Sequence, residues 1–66
     1  MSRFGGMTVN ERLYEASLMD NFDDAVRKGD RARMIDILES VEVTGVEAVR
    51  TADAILANPT RYGRLP

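Results

Sequence analysis

The densest group of acidic side chains in this sequence is Asp20-Asn21-x-Asp23-Asp24. Carboxylate and amide oxygens are the ligands that a hard cation such as Ca²⁺ takes in proteins. A calcium loop, however, needs acids at alternate positions, a central glycine and a distal glutamate, whereas these acids fall within a helical pattern. The spacing favours a solvated helix face whose acids pair with basic residues one turn later. We therefore predict no metal site and no cofactor.

A group of basic residues brackets the Gly29-Asp30 turn and consists of Arg27, Lys28, Arg31 and Arg33. Guanidinium and ammonium groups at this density can contact phosphate or an acidic partner, which makes the four residues candidates for such a contact. The competing interpretation is compensation of a helix dipole together with surface ion pairs. The net charge of -2 favours that second interpretation and argues against general nucleic-acid binding.

The residue types that usually carry catalysis are scarce. The chain has no histidine and no cysteine, which removes the commonest general base and metal ligands. Ser17 and Ser40 fall on polar helix faces without a base to activate them, and Tyr14 and Tyr62 are typical of core-edge positions. A chain this short also has little room for a ligand pocket of about 300 Å³. We predict a non-enzymatic protein with no small-molecule substrate.

Length and composition indicate one folded domain. The chain has 66 residues, of which 44% are hydrophobic and 30% charged, a balance typical of folded soluble proteins. Gly5-Gly6 predicts a flexible leader over residues 1–7, followed by a single domain over 8–63 and a tail over 64–66. No apolar run approaches the ~18 residues of a membrane span, and the N-terminus lacks a secretory signal. The expected location is the cytoplasm.

The clearest amphipathic helix is predicted over residues 31–42. Asp30 is a suitable N-cap, and Gly29 suits the left-handed position that ends the preceding helix. The stripe of Met34, Ile37, Leu38 and Val41 follows the spacing that keeps side chains on one helix face. Because a helix of about three turns is unstable alone in water, this stripe must be buried against partners.

A further helix is predicted over residues 45–57, opened by a Thr44–Glu47 capping box and ended before Pro59. The pair over 31–57 has the order of a helix-turn-helix. This order gives an alternative function, a small DNA-binding regulator. The second helix, however, exposes one arginine against two acids, whereas base and phosphate contacts need cationic and amide side chains.

The segment over residues 9–28, opened by a Thr8–Glu11 capping box, carries apolar residues on two opposite faces. Two explanations compete: a break near Met19–Asn21, with Asp20 or Asn21 capping a second helix, or one helix buried on two sides. The lack of glycine and proline favours a continuous or slightly kinked helix. The second face then predicts a surface for self-association or a partner protein, formed by Val9, Leu13, Ala16 and Met19.

Together these patterns predict an all-α, three-helix bundle-like domain. We expect it to act as a non-enzymatic protein-interaction module that forms a homo-oligomer or binds a partner protein. The predicted core contains Leu18, Phe22, Val26, Met34, Ile37, Leu38, Val41, Val46, Val49, Ala52, Ile55 and Leu56.

The stretches NERLYEASLMDNFDDAVRKGDRARMIDILE and ADAILANPTRYG resemble small uncharacterised all-α bacterial proteins. The resemblance covers most of residues 8–63. It implies an all-α fold and a cytoplasmic bacterial origin, and it carries over no catalytic residues.

Overall fold

A computed structural model describes residues 4–58, so residues 1–3, Tyr62 and the predicted tail lie outside the described part. The described residues contain helices and turns but no strand, which confirms the all-α class. Four helices follow one another: α1 Val9–Glu15, α2 Met19–Lys28, α3 Arg31–Ser40 and α4 Gly45–Ala57.

The prediction of one continuous helix over residues 9–28 is wrong, because a turn separates α1 from α2. Ser17 adopts the left-handed conformation with φ 60°. Its amide donates to the Tyr14 carbonyl over 3.0 Å, and the Leu18 amide donates to the Leu13 carbonyl over 2.9 Å. This pair of bonds defines a Schellman motif. The alternative of two short helices is therefore confirmed. Its predicted cap at Asp20 or Asn21 is wrong, because the N-cap of α2 is Leu18, which makes no side-chain cap bond.

The same motif ends α2 and α3. Gly29 has φ 66° and Glu42 has φ 67°. In each case the amide of the following residue donates over 2.9 Å to a carbonyl five positions back, Ala25 in α2 and Leu38 in α3. Three successive helices therefore end in a Schellman motif. Only at Gly29 is the left-handed residue a glycine, which avoids the Cβ crowding of this conformation.

The two predicted N-terminal caps of α1 and α3 are confirmed. The Thr8 amide donates to the Glu11 carboxylate over 2.8 Å, and the Glu11 amide donates to the Thr8 hydroxyl over 3.2 Å. The bond from the Thr8 amide, followed by that from its hydroxyl, lowers the pKa of Glu11. Asp30 accepts from the Arg33 amide over 3.1 Å. The predicted box at Thr44 is wrong, since that side chain makes no cap hydrogen bond.

The break at Ser17 places the apolar residues of α1 and α2 in one core. Leu13 and Phe22 are both completely buried. Phe4, which lies within the predicted leader, is also buried, with 3% of its surface exposed. The core comprises Phe4, Leu13, Phe22, Ala25, Val26, Met34, Ile37, Leu38, Val41, Val43, Ala48, Ala52 and Ile55.

Arg12 joins distant parts of the chain. Its Nε donates to the Met7 carbonyl over 3.1 Å. Its Nη1 donates to the carbonyls of Val41 and Glu42 over 3.1 and 3.2 Å. These last two carbonyls lie where α3 ends, at the negative pole of that helix. One side chain of α1 therefore fixes both the segment before α1 and the turn between α3 and α4.

Replacing Arg12 should destabilise the chain far more than replacing a surface arginine. Arg12→Ala removes three hydrogen bonds from a charged donor, two of them part-buried and one exposed. A hydrogen bond to a charged group contributes about 1.5–3 kcal/mol, and competition from water lowers the sum for bonds that are this accessible. We expect a loss of about 2–3 kcal/mol in urea unfolding. Arg12→Lys should recover only part of it, because an ammonium lacks the planar fork. The control is Arg33→Ala, whose side chain forms no ion pair among residues 4–58; equal losses in the two alanine variants would contradict the assignment.

The left-handed turn at Ser17 predicts a stabilising glycine substitution. Ser17→Gly removes the Cβ crowding at φ 60° and should raise the free energy of unfolding by about 0.5–1 kcal/mol. Ser40→Gly is the matched control. It lies in the last turn of α3, where its hydroxyl donates to the Ile37 carbonyl over 2.6 Å, and it should lower stability because glycine disfavours helix. The same sign for both variants in urea unfolding would rule out the strained turn.

Candidate functional site

The acidic group of α2 is an ion-paired helix face. Asp24 accepts from Lys28 over 3.0 Å and from Arg27 over 3.4 Å, the one-turn pairing expected from the sequence. The bond from Lys28 is the main cause of a lowered Asp24 pKa. Within residues 4–58, no three acidic side chains converge on a common point where a cation could bind.

Three of the four basic candidates pair with one of two different acids. Arg27 and Lys28 pair with Asp24 on their own helix. Arg31 Nε instead lies 2.7 Å from Asp53 Oδ1 on α4, and this bond raises the pKa of Arg31 and lowers that of Asp53. Three of the four basic residues are therefore ion-paired within the chain, two of them with the same carboxylate.

The premise of the predicted partner surface on α1, a second apolar face on one continuous helix, is wrong. Leu13 is completely buried, and Val9, Ala16 and Met19 are partly buried against the core. The prediction assumed that α1 and α2 share one helix axis, which would have left a second apolar face outside. The turn at Ser17 changes the direction of the chain, so both faces contribute to the same core.

Adjacent residues of α1 should therefore respond very differently to truncation. Leu13→Ala should lower the free energy of unfolding by about 2–5 kcal/mol, the usual cost of a cavity at a buried leucine. Tyr14→Ala should change it by about 0.5 kcal/mol or less, because Tyr14 is 78% exposed. Thermal and urea unfolding, followed by far-UV circular dichroism, measure the stability of both variants. If Leu13→Ala shows no helical signal at all, it is unfolded, which is the extreme case of the predicted destabilisation. Equal stability of the two variants would show that Leu13 is not in the core.

The exposed apolar surface lies on α4, where the sequence predicted core residues. Val46 is 64% exposed and Val49 is 37% exposed. Ala48, Ala52 and Ile55 are buried instead. The helix therefore packs inward through the side that carries Ala48 and Ala52, and the side that carries Val46 and Val49 faces outward. Small side chains allow the backbone of α4 to approach α3 closely, which pattern reading of α4 alone does not reveal.

An open groove borders this face of α4. Its volume is about 500 Å³, and it lies between α4 and the beginning of α1. Arg50 stands at its edge and forms no ion pair in the part of the chain that the structure describes. The groove is lined by Thr8, Val9, Asn10, Arg50, Thr51, Ala54 and Ile55. We use "the α4 face" for the exposed side chains of Val46, Val49, Arg50, Asp53, Ala54 and Ala57.

Comparison with other proteins gives no family for the chain. No protein-family model, curated protein or solved structure matches it. Among residues 4–58, no helix has the length and apolar character needed to cross a membrane.

Proposed function

We propose that this protein is a small non-enzymatic interaction module, and that the α4 face is its contact surface. The observation that carries the proposal is the exposure of Val46 and Val49 while alanines of the same helix are buried. Single exposed apolar residues are ordinary on protein surfaces. Here, however, two exposed valines lie one turn apart on α4, and Arg50 of the same helix lines the adjacent groove. Neighbouring exposed apolar side chains of this kind are typical of contact sites.

The charges on the α4 face also suit a protein contact. Arg50 has no acidic partner in its own chain among residues 4–58, and arginine is enriched where proteins meet because it combines apolar packing with directional hydrogen bonds. A buried arginine at an interface would gain a carboxylate from the other molecule. The proposal keeps the cytoplasmic location that the sequence predicts.

DNA binding through α3 and α4 has less support. The turn between these helices is present, but the exposed side of α4 offers Arg50 against Glu47 and Asp53. Arg31 is already paired with Asp53. Its positive charge is therefore neutralised and adds little attraction for DNA phosphates. Phosphate contacts require a surplus of cationic side chains.

Site-specific photo-crosslinking tests the proposed surface. A benzophenone amino acid at Ala54, on the edge of the α4 face, should give crosslinked protein in living cells of the source. The matched control is the same amino acid at Ala32 in α3, which is also an exposed helical alanine. We expect several-fold more product at position 54, containing either this chain or another protein. Equal yields at the two positions would reject the α4 face as a contact surface.

A further inference from the structure

We propose that the partner of the α4 face is α4 of a second copy of this chain, packed antiparallel. The inference rests on the proposed function and specifies its partner. Val46, Arg50, Asp53 and Ala57 follow one another at spacings of four, three and four residues, so they lie along one line of the helix. All four are exposed. Read from either end, this line has an apolar residue, two charged residues and an apolar residue.

That order is self-complementary when two helices run in opposite directions. A two-fold axis between positions 51 and 52 places Val46 opposite Ala57 of the second copy. The same axis places Arg50 opposite Asp53 of the second copy. Each contact occurs twice, as in any isologous interface. A parallel pair would instead place Arg50 against Arg50 and Asp53 against Asp53, and such like-charge contacts oppose association.

The carboxylate of Asp53 is positioned to receive a second arginine. Its Oδ1 accepts from Arg31 Nε over 2.7 Å, which restrains the side chain before any partner arrives. A carboxylate has about four acceptor sites on its two oxygens, so Oδ2 can accept from Arg50 of the second copy. Arg50 makes no competing ion pair within the described residues of its own chain.

The edges of the face fit the same arrangement. Val49 and the partly buried Leu56 lie on one edge of α4, and the antiparallel register brings Val49 close to Leu56 of the second copy. Glu47 lies on the other edge. The two copies of Glu47 are separated by roughly 13 Å along the helix axis, from nine residues at 1.5 Å each, so this acid does not oppose the pairing. The contact is small and should form a reversible dimer.

A charge exchange between Arg50 and Asp53 tests the pairing in the full chain. The unmodified chain should shift from monomer to dimer in sedimentation velocity as its concentration rises. Arg50→Glu and Asp53→Lys should each weaken self-association by at least about tenfold, because each homodimer then places like charges opposite each other twice. An equimolar mixture should restore association, since every contact in the mixed dimer joins opposite charges. Circular dichroism verifies that each variant is folded.

Single cysteines test the direction of the helices, because the natural chain has no cysteine. Under mild oxidation, a mixture of Val46→Cys and Ala57→Cys should give a disulfide-linked dimer of the two variants. Val46→Cys alone should not crosslink, since its two copies would lie roughly 16 Å apart along the axis. Efficient crosslinking of Val46→Cys alone would show a parallel pair and overturn the inference.

The two proposals fail in different ways. A chain that remains monomeric at all concentrations, or charge variants that stay weak when mixed, would overturn the second-copy inference. If the probe at Ala54 then still crosslinks to a different protein, the α4 face remains a contact surface with another partner. If that probe gives no more product than the one at Ala32, the proposed function itself is wrong.

Discussion

The three hydrogen bonds of Arg12 are the constraint on which the arrangement of the helices depends. Its guanidinium binds carbonyls of Met7, Val41 and Glu42, which lie on both sides of α1 in sequence and as far as 30 positions away. α3 has no basic residue in its own last turn, so the cation that compensates its negative pole comes from α1. Holding this turn fixes the point from which α4 departs.

The left-handed residues at Ser17, Gly29 and Glu42 divide the chain into helices of 7 to 13 residues. Helices this short do not persist alone in water, so each turn must return the next helix to the same core. The residues that follow two of these turns contribute to that packing: Val43 is buried and Leu18 packs against the core. Burial of these neighbours offsets the Cβ crowding that serine and glutamate experience in a left-handed conformation.

Features governed by nearby residues could be predicted from the sequence. The all-α class, the Thr8–Glu11 box and the Asp30 cap depend on contacts within one helical turn. The break at Ser17 could not be predicted in this way, because a non-glycine residue in a left-handed turn leaves no compositional signal. The partners of Arg12 are distant in sequence, and the choice between the two apolar stripes of α4 depends on how closely that helix approaches α3. For these reasons the sequence alone favours α1 over α4 as the candidate surface.

The orientation of α4 links the stability of the fold to its proposed function. Valine buries more apolar surface than alanine, so a chain selected only for its own stability would place Val46 and Val49 inside. Here the buried side uses Ala48, Ala52 and Ile55, whereas Val46 and Val49 remain exposed. Exposed valines above buried alanines depart from the pattern that would best stabilise the isolated chain. Such local departures are expected where a surface serves a function, such as contact with another molecule. A dimer through the α4 face accounts for this departure, because Val46 and Val49 are then covered.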